Sequence, residues 1–273
     1  MIFVKYKLIA LDIDGTIRNT ENPVSIRTIK IIKDLVELGV HIVIATGRTF
    51  KSAKNILDGI YGIKYIVPFQ GAQVVDLKNG SIKWHSPLNP IMLNSALNEL
   101  DDYSGFQIMV NCNGHVFVSD LTDEMVSYGN RNNLDIKYID NLRDLALENP
   151  DRIVVLGDAC KIQKLESHLQ SKFKNYLYIT RSLPYFCEIL HPNSGKDKGL
   201  AWLCEKLKIK KSETIAFGNG YNDLQMIKWV EMGVAVKNSV PEIINVANKL
   251  APSIENDGVA SVLEEFMELG YFK

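Results

Sequence analysis

Two aspartates stand one residue apart in DIDGT, Asp12 and Asp14, directly after the apolar run KLIAL. Alternate side chains of an extended chain share a face, so the two carboxylates point the same way while Ile13 points into the core. Gly15 then permits a sharp turn. Polar clusters follow two other apolar runs: Thr46, Gly47 and Arg48 after HIVIA, and Asn219, Asn222 and Asp223 in GNGYND after TIAF. Lys196 and Lys198, in SGKDKG, lie just before a helical stretch. Two carboxylates, a hydroxyl, a lysine and a carboxamide–carboxylate cluster are what is needed to handle a phosphate with a divalent metal. Hard oxygens suit the cation, and the donors suit the phosphoryl oxygens.

Other readings of the same residues are weaker. Gly218 and Gly220 supply the first half of a GxGxxG dinucleotide fingerprint, but Asp223 stands where the third glycine belongs and would repel a pyrophosphate. Gly195-Lys196 is no P-loop, because no glycine stands five residues earlier and Asp197 replaces the serine or threonine. The five histidines form no HxxxH or HExxH pair, and the four cysteines form no CxxC pair, so a zinc site is unsupported. Scattered cysteines of this kind fit reduced thiols in a cytoplasmic protein.

Ligands of open α/β sheets bind beyond the carboxyl ends of the strands, so the elements must bring these clusters to one edge. Residues 7–13, 40–46, 65–69, 214–218 and 232–236 are continuous apolar runs, the pattern of strands covered on both faces. Residues 25–38 predict a helix with Ile29, Ile32, Leu35 and Val36 on one face, Ser25 as N-cap and Gly39 as stop. Residues 198–208 and 241–250 predict two more helices. The middle reads differently: Asn113-Gly114 and Asn79-Gly80 are hairpin signals, and a helical stretch at 161–173 lies between strand-like runs. The expected fold class is α/β, a Rossmann-like parallel-sheet core between helix layers over 1–85 and 187–273, with an inserted α+β cap at 86–186.

A chain of 273 residues suits two such domains. Lysine and arginine number 31 against 32 acidic residues, a net charge of −1 that offers no broad basic field for nucleic acid or a membrane surface. No apolar run approaches spanning length. The first residues carry lysines inside the apolar stretch and no small-residue cleavage site, so no signal peptide is expected.

DIDGT, TGR at 46–48, KG at 198–199 and GNGYNDLQM at 218–226 resemble the four motifs of the haloacid dehalogenase superfamily. Their order, and the size of the insert between the second and third, resemble its Cof-type branch. FQGAQVVD (69–76) is similar to that branch's NGA segment, with Gln70 where asparagine is usual, and ENDGVASVL (255–263) to its carboxy-terminal segment.

The resemblance implies a magnesium-dependent phosphatase acting on a small phosphorylated metabolite, with sugar phosphates the first class to consider. It implies Asp12 as nucleophile, forming an aspartyl-phosphate, and Asp14 as acid to the leaving alkoxide and then base to water. Thr46, Gly47, Lys198 and Asn222 are implied to hold the phosphoryl group. Asp12, the backbone carbonyl of Asp14 and Asn219 are implied around Mg2+, with Asp223 alongside. Lys198 is preferred as the motif lysine because DKGLAW fits its register, and Lys196 is read as a solvated surface charge. Arg48 is either a salt-bridge partner or a substrate contact. The cap is implied to cover the strand ends and select the substrate, closure excluding water. Asn219 departs from the family, which has aspartate there, so a weaker metal site is expected. The same core would serve a phosphomutase or other phosphotransferase. A metabolite-binding regulatory protein with weakened catalysis is the alternative from another class.

Overall fold

The computed structural model describes residues 6–19, 23–132 and 134–272. In chain order the first elements are β1 (Leu8–Leu11), α1 (Ile26–Glu37), β2 (His41–Ala45), α2 (Phe50–Ile56), β3 (Tyr65–Val67), β4 (Gln73–Asp76) and β5 (Ile82–His85). There follow α3 (Pro90–Leu100), β6 (Gln107–Cys112), β7 (His115–Val118), α4 (Asp123–Asn132), β8 (Ile136–Tyr138), β9 (Arg152–Leu156), α5 (Ala159–Phe173), β10 (Tyr178–Leu183) and β11 (Phe186–Leu190). The last are α6 (Lys196–Leu207), β12 (Thr214–Gly218), α7 (Leu224–Trp229), β13 (Met232–Val236), α8 (Pro241–Ile244), β14 (Lys249–Ala251) and α9 (Gly258–Glu268).

The chain divides into two units. The first comprises Met1–Gly47, Ala53–Trp84 and Gly195–Lys273; the second comprises Arg48–Ser52 and His85–Ser194.

The first unit holds a sheet of order β14-β13-β12-β1-β2-β3-β4-β5. Its pairs are parallel from β14 to β3, and β4 is antiparallel to β3. Strands β1 and β12 are buried at every position, as continuous apolar runs require when both faces are covered. Helix α1 is capped by Ser25, whose side chain accepts from the Thr28 N–H. Its buried residues are Thr28, Ile31, Ile32 and Leu35, so Ile29 and Val36 of the expected face are only half-buried. The helix expected over 241–250 is a single turn, α8, after which the chain straightens into β14. Pairing with β13 (Val234 opposite Lys249) wins there over a weak helical segment that holds two asparagines and three β-branched residues.

The second unit has a sheet of order β10-β11-β9-β6-β7-β8. The β6–β7 hairpin turns at Asn113-Gly114, both at positive φ. Ile153 and Val155 of β9 join a core with residues of α3 and α5, while Val154 joins Met109, Val118 and Met125 in another cluster. That is the two-residue alternation of a strand. Buried Arg152 pairs with Glu188 of β11, and its Nε donates to Asn111 Oδ1 at 2.8 Å. The boundary expected at 186/187 falls instead after Ser194. Strand β11 is hydrogen-bonded to β9 and β10, and a paired strand cannot be divided from its sheet.

Among the described residues no helix is long and apolar enough to cross a membrane.

Candidate active site

Strands β12, β1, β2 and β3 are neighbours and parallel, so their carboxyl ends open on one edge of the first unit. Asp12 directly follows β1, and its N–H donates to the Phe217 carbonyl at 3.1 Å. The chain then turns tightly: the N–H groups of Thr16, Ile17 and Arg18 all reach the Ile13 carbonyl. Gly15 sits at φ +80°, which favours glycine, and a Cβ there would come within 2.3 Å of Asn219 Nδ2 and push that carboxamide aside.

Asp12 is 5% exposed. Lys196 Nζ lies 2.7 Å from its Oδ1 and 2.6 Å from Asp223 Oδ1. Asp223 Oδ2 accepts the backbone N–H groups of Asn219 and Gly220, each at 2.9 Å. Thr16 Oγ1 lies 3.1 Å from Asp12 Oδ2 and 3.0 Å from Asn219 Oδ1, and its single proton serves one of them at a time. Asp12, Lys196, Asp223, Asn219 and Thr16 thus form one connected network.

Burial, and then the charge of Asp223, push the Asp12 carboxyl up to about 7; Lys196 opposes the rise and Asp14 adds to it. Burial by itself would lower the Lys196 ammonium, but the two carboxylates beside it raise it.

Lys196, and not Lys198 as the motif register predicts, is the lysine that meets Asp12. Lys196 is 1% exposed and bound to Asp12, while Lys198 is exposed at the surface, with its own partners. Successive helical residues turn about 100°, so two positions along α6 reverse the direction of the side chain. The signal was available: Gly199, Leu200, Leu203 and Cys204 form the buried stripe of α6, and Lys196 continues it one turn earlier.

Thr46 follows β2 and is fully buried; its N–H donates to the Val67 carbonyl at 3.0 Å. Asn222 is buried, and its Nδ2 donates to Gln70 Oε1 at 3.0 Å. Gly47 lies against the Gln70 carboxamide. Arg48 groups with the second unit, and its Nη1 donates to Ser52 Oγ at 2.9 Å.

Among the described residues no group of three His, Cys, Asp or Glu side chains is placed to hold a metal. The donors here are of another kind. Asp223 meets Lys196 with Oδ1 and two backbone N–H groups with Oδ2, and in doing so orients Lys196 and the 219–220 backbone. Asp12, Asp14 and the Asn219 carboxamide supply hard oxygens, and the network holds two carboxyls, Asp12 and Asp223, against the one Lys196 ammonium, with the charge of Asp14 acting on Asp12 from beside it. That donor set and charge imbalance fit a magnesium-type cation.

A family model for a haloacid dehalogenase-like hydrolase matches residues 9–263. Two Bacillus subtilis proteins, YitU and YcsE, both named 5-amino-6-(5-phospho-D-ribitylamino)uracil phosphatase, are similar at 24% and 25% identity. The first match covers 96% of this chain and 98% of YitU, the second 97% of this chain and 97% of YcsE. A solved haloacid dehalogenase-like hydrolase from Bacteroides thetaiotaomicron superposes with a TM-score of 0.81 at 25% identity, over 96% of this chain and 100% of that one.

Proposed function

The chain belongs to the haloacid dehalogenase-like hydrolases, and from that premise we propose that it is a magnesium-dependent phosphatase of a small phosphorylated metabolite working through an aspartyl-phosphate. The observation that carries the reading is the buried Asp12 carboxylate at the strand edge, held by Lys196. Relatives named as phosphatases of a phosphorylated ribityl compound support a small phosphate ester as substrate. A sugar phosphate is the first class to test. In this reading the first unit is the catalytic core and the second chooses the substrate. Four cysteines in no disulfide accord with a cytoplasmic setting.

Asp12 attacks phosphorus with one carboxylate oxygen, and the bond to the ester oxygen breaks. Lys196 keeps Asp12 aimed and favours its charged form, and the Thr16 hydroxyl lies beside its other oxygen. Asp14 gives a proton to the leaving alkoxide, then takes one from the water that cleaves the acyl phosphate. Thr46, Gly47 and Asn222 hold the transferring group. Asp12, Asp14 and Asn219 would hold the cation, which offsets charge on the carboxylates and the phosphoryl oxygens.

The test is p-nitrophenyl phosphate hydrolysis in EDTA and across a magnesium titration, with wild type, Asp12→Asn and Asn219→Asp side by side. Metal-dependent release lost in Asp12→Asn is the expected result; full activity in that variant would remove Asp12 as nucleophile. Asn219→Asp restores a formal charge and should tighten magnesium binding about tenfold, roughly 1–2 kcal/mol. Unchanged or weaker binding would take residue 219 away from the cation. If this ester is not cleaved at any magnesium level, natural phosphate esters are the next substrates.

A further inference from the structure

Phe69 and Gln70 hold backbone angles in the left-handed region, φ 50° and 54°, and Gly71 follows at 83°. Two consecutive non-glycine residues there are strained, and such strain persists where the surroundings enforce it. Gln70 is also 1% exposed, although its side chain is a carboxamide.

What enforces the conformation is a set of contacts to the site. The Gln70 N–H donates to the Thr46 carbonyl at 3.1 Å. Its side-chain Oε1 accepts from Asn222 Nδ2 at 3.0 Å. Its Nε2 lies where a Cβ on Gly47 would come within 2.3 Å. A Cβ on Gly71 would stand 2.0 Å from the Gly195 carbonyl oxygen and 2.8 Å from the Lys196 nitrogen, so this backbone abuts the start of α6. One short segment therefore reaches the loops that carry Thr46, Asn222 and Lys196. An amide NH2 has two hydrogens, and committing one of Asn222's to Gln70 fixes the aim of the other.

We infer that Gln70 is a positioning residue of the phosphate site, its carboxamide setting Asn222 against Thr46 and Gly47. The inference rests on the assignment of those residues to phosphate binding.

The experiment measures inorganic phosphate binding by calorimetry, and thermal unfolding, on the full chain with magnesium. It compares wild type, Gln70→Gly, Gln70→Asn, Asn222→Ala and the Gln70→Gly/Asn222→Ala double variant. Glycine takes a positive φ without strain, which offsets the loss of the buried carboxamide, so Gln70→Gly should leave Tm about unchanged while weakening phosphate binding about tenfold. Gln70→Asn, which keeps an amide on a left-handed backbone, should restore part of that loss. Because Gln70 acts through Asn222, the double variant should bind phosphate about as Asn222→Ala alone does. Phosphate affinity of Gln70→Gly within twofold of wild type overturns the inference, as does full additivity in the double variant. A parallel fall of Tm and affinity in Gln70→Gly would make the role structural and also overturn it. Wild type that binds no phosphate, or binding indifferent to Asn222→Ala, overturns the phosphate-site assignment itself, and the inference with it.

Discussion

Lys196 bridges two buried carboxylates, Asp12 and Asp223, and its removal leaves both without their ammonium. Breaking a buried pair from one side typically costs about 3–5 kcal/mol. Lys196→Met should therefore lower Tm markedly and, from loss of a charged donor at the site, reduce kcat/KM on the order of a hundredfold or more. Lys198→Ala, at an exposed position, should stay within about 0.5 kcal/mol of wild type. Urea unfolding and steady-state kinetics on the two variants check this; equal effects would return the question to both lysines. Asp12 sets a pH dependence. Its carboxyl is raised from the usual 3.8 to about 7, so between those values the native metal-free chain binds more protons than the unfolded chain. Stability then falls as pH rises through that window, by at most about 4 kcal/mol. Asp12→Asn should flatten this slope in EDTA; an unchanged slope would assign it to another group.

At the scale of elements, the site depends on how closely α6 lies to β3. A Cβ on Gly199 would come within 2.5 Å of Val67 Cγ1, and valine has little freedom to yield. Gly199→Ala should cost about 1–3 kcal/mol by overpacking and, by shifting α6, reduce activity along with stability. Denaturant unfolding with an activity assay measures both, and a stable variant with wild-type activity would show that α6 tolerates displacement. The strands were legible as continuous apolar runs because burial on both faces leaves no room for alternation. Motif register does not tell the two α6 lysines apart, because the helix's own buried stripe decides which of them faces inward. At 241–250 local propensity lost to a partner strand that a window of sequence does not contain.

Across the whole molecule, each unit has its own apolar core, and such units open as separate cooperative bodies. Hydrogen exchange should show magnesium raising protection in β1, β12 and the start of α6, while α3, α5 and β9 change little. A uniform rise over both units would mean that they unfold as one. The sequence by itself determined the α/β class, the insertion and the residue types at each strand end, because periodicity, turn chemistry and the side chain after a buried run are local properties. Only the tertiary structure decided that Lys196 faces Asp12 from 184 positions away, that Asp223 orients Lys196 and the 219–220 backbone, and that Gln70 holds Asn222. The stripe of α6 shows that Lys196 faces inward, but which partner each of these groups meets depends on strand order and on which surfaces bury each other, and no single stretch of chain carries that.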